Sequence, residues 1–250
     1  MNVFLIQTKD DKVLHDFSFH LLEAIEFQNW FRDAKLHDCI HVNDHHFEFS
    51  FSSPPIEPNY VPIGSVEYVL NFYKKFYDID IKPINIPEEL MKHKFLKRNV
   101  FVGDETTKLD NPLFVKSADK IKGFVDIILP TDHKILTKGK YLFSEVVSID
   151  SEWRGFVFNG ELLDIRCYLG EFDLFPDVDL VREMIGAYKN SPRAYTIDVG
   201  VGRKLGTFLI ECHQFFSTGL YGFTHYNVLP QMFISCHNEI LDGNRKEAIE

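Results

Sequence analysis

Apolar residues alternate in some stretches of this chain and recur at helical spacing in others, and the pattern predicts most of its elements. Residues 3–8 form a short apolar run that predicts a strand. Over 14–31, Leu14, Phe17, Leu21, Ala24, Ile25 and Phe31 fall near helical spacing. Phe47, Phe49 and Phe51 alternate with polar residues, as in a strand, until Ser52-Ser53-Pro54-Pro55 stops it. Ser65 is placed to cap a helix carrying Val66, Val69, Leu70, Tyr73 and Phe76. Pro83 and Pro87 punctuate the next connection, and Pro87 opens a short helix. Strands are then expected at 98–102, 113–116, 124–129, 141–148, 153–158 and 161–168, followed by a helix over 178–189. The tail from His225 to Ile240 reads as loop and helix broken at Pro230. The expected class is α+β with an α/β first part: a small α/β lobe over 1–85, then two lobes with mostly antiparallel sheets over 86–145 and 146–250.

Residues 195–222 are the most informative stretch. Two β-rich runs flank a turn carrying Gly200, Gly202 and Gly206, which predicts an antiparallel hairpin. If Asp198 lies opposite Glu211, the period of two gathers Thr196, Asp198, Gly200, Leu209, Glu211 and His213 on one face. Ile197, Val199, Val201, Phe208, Ile210 and Cys212 then lie on the other. Like charges facing each other on a sheet destabilise it, so the first face calls for a cation. Mg²⁺ or Mn²⁺ held by Asp198, Glu211 and His213 is the simplest candidate. The alternative is a solvated face whose acids pair with Arg203 or Lys204.

Composition narrows the function classes. With 27 basic and 37 acidic residues the net charge is −10, which argues against a general phosphate-backbone binder and so against nucleic acid as partner. The local basic stretches, Lys92-His93-Lys94 with Lys97-Arg98 and Lys134 through Lys140, read as solvated surface. Four scattered cysteines without a C-x-x-C pattern fit free buried thiols in a reducing cytoplasm. The N-terminal apolar run is too short for a signal peptide, and no run is long enough to span a bilayer, so a soluble cytoplasmic protein is expected. His37, His41, His45 and His46 cluster around Cys39. Their spacing matches no established zinc pattern, and surface or turn histidines are the better account.

Two further segments carry chemistry. Leu113-Phe114-Val115-Lys116 is an apolar strand ending in a lysine beside the polar turn Ser117–Gly123, where an ammonium can reach a phosphate as a point charge. Asn159-Gly160 marks a hairpin turn with Arg154 on one arm and Arg166 on the other. A strict two-residue turn puts these arginines on opposite faces, whereas a one-residue bulge at Gly160 brings them to one face. Glu152 and Asp164 are at hand as ordinary ion-pair partners for them.

The order of these pieces is a strand-end lysine, a Glu-Val-Val strand, a Glu-x-Arg strand, a hairpin arginine, Asp on one late strand, Glu-x-His on the next, and Ser-x-Gly-Leu-Tyr-Gly. It resembles the ATP-grasp superfamily, and most closely its compact RimK-related clade recognised by two arginines and a lysine, over about residues 60–223. The resemblance implies an ATP-grasp fold, with ATP between two antiparallel α+β lobes. It implies that Lys116 contacts the α/β phosphates, that Lys120 or Lys122 caps them, and that the backbone of Glu145, Val146 and Val147 reads the adenine edge. Asp150 would meet the ribose, and Arg154 and Arg166 would face the γ-phosphate or the reacting carboxylate. Asp198 and Glu211 would hold Mg²⁺.

Such proteins transfer the γ-phosphoryl group to a carboxylate, and an amine or other nucleophile attacks the acyl phosphate. The resemblance therefore implies ATP, Mg²⁺ or Mn²⁺, and a carboxylate-bearing small molecule or peptide or protein acceptor. Two departures matter. His213 stands where the family usually has Asn, and the glycine-rich phosphate loop is reduced to Gly123. They keep open a second reading, a nucleotide-binding or interaction protein without turnover, of the phage-associated kind common in this clade and so placed in the host cytoplasm. A third reading is phosphoryl transfer to a non-carboxylate acceptor.

Overall fold

The structure is a computed structural model that describes residues 1–43, 57, 59–132 and 136–247. The strand expected at 47–51, its Ser-Pro stop, His45, His46 and Lys134 lie outside the described residues. Contacts divide the chain into two compact units, one of 1–81, 192–195 and 215–250, the other of 82–191 and 196–214. The C-terminal segment from 215 thus joins the first unit, although the sequence pattern groups it with the preceding lobe.

In the first unit, β1 (Asn2–Lys9) is flanked by the parallel strands β3 (His37–Asn43) and β4 (Tyr60–Ile63). The two-residue β2 (Lys12–Val13) folds back on its end. Val3 to Ile6 are almost wholly buried because helices cover this sheet. The helix α1 (Asp16–Arg32) buries Phe17, Leu21, Ala24 and Ile25. On α2 (Val66–Tyr77), Tyr68, Val69, Phe72 and Tyr73 pack with Val3 and Leu5, and Ser65 Oγ accepts from Tyr68 N at 3.2 Å as the expected cap. The tail is not broken at Pro230. It forms α5 (Leu229–Glu247), with Pro230 in the first turn, where no intrahelical N–H bond is lost. His37, Cys39 and His41 sit on β3 rather than in a turn, and they form no metal-holding group among the described residues.

The second unit holds two four-stranded sheets. One is antiparallel, in the order β5 (Val100–Asp104), β8 (Lys140–Glu145), β6 (Leu113–Ser117), β7 (Val125–Ile128). The four-residue α3 (His93–Leu96) leads into it. Val115, Ile128, Tyr141 and Phe143 make one face of this sheet a core with Leu109 and Leu136. The other sheet has the order β10 (Glu161–Gly170), β9 (Ser151–Phe158), β11 (Ala194–Gly202), β12 (Gly206–Gln214), with α4 (Val178–Ala187) between its strands in sequence. Strand β8 ends at Glu145, short of the expected 148.

The hairpin of β9 and β10 turns at Asn159 and Gly160, both at positive φ, as a two-residue type I′ turn requires. Glu161 and Leu162 pair with Phe158 and Val157, but Asp164 pairs with Phe156. The extra residue is therefore Leu163, not Gly160, and beyond it Arg166 lies directly opposite Arg154. The two arginines share a face through a bulge beyond the turn rather than in it. The register shifts again between Cys167 and Leu169, and strict alternation also fails on β12. A Cβ on Gly200 would lie 2.8 Å from Phe208 Cζ, so Phe208 covers Gly200 instead of occupying the other face. All four cysteines are free, Cys212 and Cys236 buried but Cys39 and Cys167 only partly so. No helix among the described residues is long and apolar enough to cross a membrane.

Candidate functional site

Every residue of β11 is buried, and Asp198 is its one charged side chain, 3% exposed. A carboxylate there must be paired to remain ionised. Arg154 pairs with it in a two-pronged fork, Nε donating to Oδ1 at 2.8 Å and Nη2 to Oδ2 at 2.7 Å. Burial pushes the Asp198 carboxyl up, but the Arg154 and His213 bonds outweigh it and hold the group below its usual range.

On β12, Glu211 and His213 are two residues apart and project to the same side. Lys116 Nζ at the end of β6 lies 2.5 Å from Glu211 Oε2. His213 Nε2 lies 3.5 Å from Asp198 Oδ2 and 3.5 Å from Glu211 Oε1. Burial alone would raise Glu211, yet His213 and Lys116 bring it down to about 2. The same two carboxylates overcome the burial of His213 and push it up to about 9. Ligand atoms of Asp198, Glu211 and His213 fall within 4.8 Å of one another, the one group among the described residues that could hold a metal ion. Two carboxylates and an imidazole fit a small divalent cation: the oxygens suit Mg²⁺, and the nitrogen is better tolerated by Mn²⁺. The acids face Arg154 and Lys116, while Arg203 pairs with Glu171, so a face neutralised by Arg203 or Lys204 is not what forms.

Arg166 is held by Asp164, with Nε and Nη2 at 2.9 and 2.8 Å from Oδ2. Glu152 accepts from Tyr168 OH at 2.7 Å, and the Arg154 guanidinium stacks 5.5 Å from the Tyr168 ring centre. Lys120 and Lys122 are exposed in the Ser117–Gly123 turn. That turn is closed by Phe124 N donating to Ser117 Oγ, and a Cβ on Gly123 would lie 2.5 Å from that oxygen. Asp150 Oδ2 accepts from Arg203 N at 2.7 Å, tying the start of β9 to the β11–β12 turn.

Glu145, Val146 and Val147 line a cavity of about 710 Å³ with Asn99, Phe101, Asn111, Pro112, Leu113 and Ile127. Glu145 accepts from Asn99 N and Nδ2 at 2.8 and 2.7 Å. None of Lys116, Asp198, Glu211 and His213 lines that cavity. The structure thus brings Lys116, Arg154, Asp198, Glu211 and His213 into one network and sets the 145–147 segment apart from it.

Sequence reasoning missed Arg98. Grouped above with surface lysines, it is 8% exposed. The signal available was its place at the start of the strand expected at 98–102, where a charged side chain has to turn either outward or inward.

A family profile for an ATP-grasp domain, described as family 2 of the clade named for two arginines and a lysine, matches residues 95–230, just over half of the chain. Among solved structures, D-cycloserine synthetase DcsG aligns with a TM-score of 0.62 at 11% identity, over 94% of this chain and 100% of that one. D-alanine–D-alanine ligase from Bacillus anthracis aligns with a TM-score of 0.55 at 10% identity, over 98% and 99%. A RimK domain ATP-grasp protein from Sphaerobacter thermophilus aligns with a TM-score of 0.53 at 14% identity, over 97% and 98%. A comparison with curated proteins by sequence finds no match. At these identities the likeness to solved structures establishes the fold and nothing finer.

Proposed function

The chain belongs to the ATP-grasp domains, in family 2 of the clade named for two arginines and a lysine, and on that premise we propose that it is an ATP- and divalent-metal-dependent carboxylate–amine ligase. One observation supports this above the others: two carboxylates and an imidazole converge within 4.8 Å, with Lys116 and Arg154 already paired to the acids. Asp198, Glu211 and His213 would hold the metal ion, which when bound supplies neutralisation of phosphate charge. Lys116 and Arg154, which now neutralise the acids, are the cations that a triphosphate would recruit. Arg166, steered by Asp164, presents a planar fork suited to a phosphate or carboxylate. Lys120 and Lys122 would cap the phosphates from the turn, the backbone of Glu145–Val147 would read adenine, and Asp150 would meet the ribose.

The reaction is two displacements. A carboxylate oxygen attacks the γ-phosphorus, the bond to the β–γ bridging oxygen breaks, and ADP leaves. An amine then attacks the acyl carbon and loses a proton as inorganic phosphate departs, giving an amide. The chain's part in both is position and charge, from cationic side chains aimed at the transferring group. The acceptor falls in the class of carboxylate-bearing small molecules or peptides.

His213 supports a second reading, a nucleotide binder without turnover. Its imidazole lies 3.5 Å from both acids, and when protonated it is itself a cation between them. Calorimetry with ATP and Mg²⁺ or Mn²⁺ tests the nucleotide site, and an ADP-release screen over amino acids and peptides separates the two readings. The ligase reading expects ADP release that stops in the Asp198→Asn, Glu211→Gln double variant. Release that survives in that variant overturns the metal assignment, and absent ATP binding overturns both readings.

A further inference from the structure

We infer that Arg98 is a positioning residue for the nucleotide site, one guanidinium that holds the adenine-reading segment and the metal-bearing strand in register. The inference rests on the nucleotide reading above. Arg98 follows α3, where Lys97 at positive φ reverses the chain and sends the next side chain beneath the sheet. Nε donates to Ser144 Oγ at 2.8 Å, and Nη1 donates to Leu96 O at 2.9 Å and to Leu209 O at 2.8 Å. Ser144 Oγ in turn donates to Glu145 O at 3.1 Å. The serine can give its proton to that carbonyl because Arg98 fills its acceptor side, so the guanidinium sets which way the hydroxyl points.

The same side chain therefore fixes two backbone points. One is the carbonyl that ends β8 and opens the 145–147 segment. The other is Leu209, two residues before Glu211 on β12. The Arg98 guanidinium also lies 5.1 Å from the ring centre of Phe208, which covers Gly200 two residues beyond Asp198. No carboxylate pairs with Arg98 among the described residues. A buried cation without a counter-charge contributes little as a stabilising device, since desolvating it is costly. Its three bonds go instead to main-chain and hydroxyl oxygens on three elements, the pattern of a strut. Arginine suits this role because its planar fork carries donors in fixed directions, which a lysine ammonium lacks.

The test compares wild-type full-length protein with Ser144→Ala, Arg98→Lys and Arg98→Met, measuring ATP and GTP affinity with Mg²⁺ by calorimetry and melting temperature in parallel. Ser144→Ala removes one hydroxyl with its bonds to Arg98 Nε and Glu145 O, and its melting temperature reports any cost to the fold. It is expected to lower the ATP-over-GTP preference about fivefold, the equivalent of one net hydrogen bond. Arg98→Lys is expected to lower it at least as far while keeping the charge. A purely structural role would shift the melting temperature and leave the nucleobase ratio where it was. Wild-type protein that binds ATP selectively, with the same ratio in Ser144→Ala and Arg98→Lys, overturns the inference alone. Wild-type protein that binds neither nucleotide overturns the nucleotide reading and the inference with it.

Discussion

The Asp198–Arg154 fork shows what a single buried charge demands of its neighbours. Asp198 is 3% exposed on a fully buried strand and Arg154 is 13% exposed, so removing either partner takes both bonds of the fork from a charge held in a poor solvent. Arg154→Ala is expected to destabilise the protein by about 3 kcal/mol. Adding Asp198→Asn should return part of that loss, and a double-mutant cycle in urea measures the coupling. A second residue-scale prediction concerns His37, 8% exposed, whose imidazole burial and then the nearby N-terminal charge hold below its ordinary value. The unfolded chain therefore takes up this proton before the folded one does. Its contribution to stability is complete above about pH 6.5 and is lost as pH falls through that value toward the folded one. Across about pH 7.5 to about pH 5.5, His213, pushed up to about 9, changes stability in the opposite direction. The His37 contribution is therefore read as the difference between wild type and His37→Gln in urea, and the wild type should lose stability relative to the variant at the lower pH. That Asp198, Glu211 and His213 lie together was legible in the chain because alternation is a local property; that Lys116 and Arg154 reach those acids was not. The role of Arg98 was not, since a basic residue among lysines looks like surface until the sheet above it is in place.

Elements show where local pattern stops. Ser65 capping, the Asn159-Gly160 turn and the β11–β12 hairpin all follow from residue type and spacing, because each closes over a few residues. The bulge at Leu163 does not. No residue there has a special backbone preference, and the register shift answers to how β10 twists across β9. Strand β3 was missed for a related reason: His-Asp-Cys-Ile-His-Val-Asn is too polar to read as a strand, and it is one because β1 offers a parallel edge. Gly155 tests the packing at this scale. A Cβ there would lie 2.8 Å from Ile197 Cγ2 and 3.0 Å from Leu162 Cδ1, wedging β9 away from β11. Gly155→Ala is expected to cost about 1–3 kcal/mol. It should also weaken nucleotide binding, because Arg154 is the next residue and Asp198 follows Ile197. Thermal melting and ATP calorimetry on the same sample check both effects.

Across the molecule, all the candidate site residues fall in the unit formed by 82–191 and 196–214. Saturating ATP with Mg²⁺, at about 100 times its dissociation constant, is expected to stabilise the protein by about 2.7 kcal/mol. Hydrogen exchange should show the protection concentrated in β6, β11 and β12, and protection confined to 1–81 would contradict the site. Residue order was enough to establish the class of fold, most of the strands and helices, and which side chains carry charge toward a common face. Those follow from the period of two, the period of 3.6 and the chemistry of each residue, all of which act over short stretches of chain. Only the assembled fold reveals that Arg166 lies opposite Arg154, that Lys116 meets Glu211 across 95 positions of sequence, that 215–250 returns to the first unit, and that Arg98 is buried. Each of these depends on how strands slide and pack against distant partners, an energy shared over many contacts that no local pattern carries.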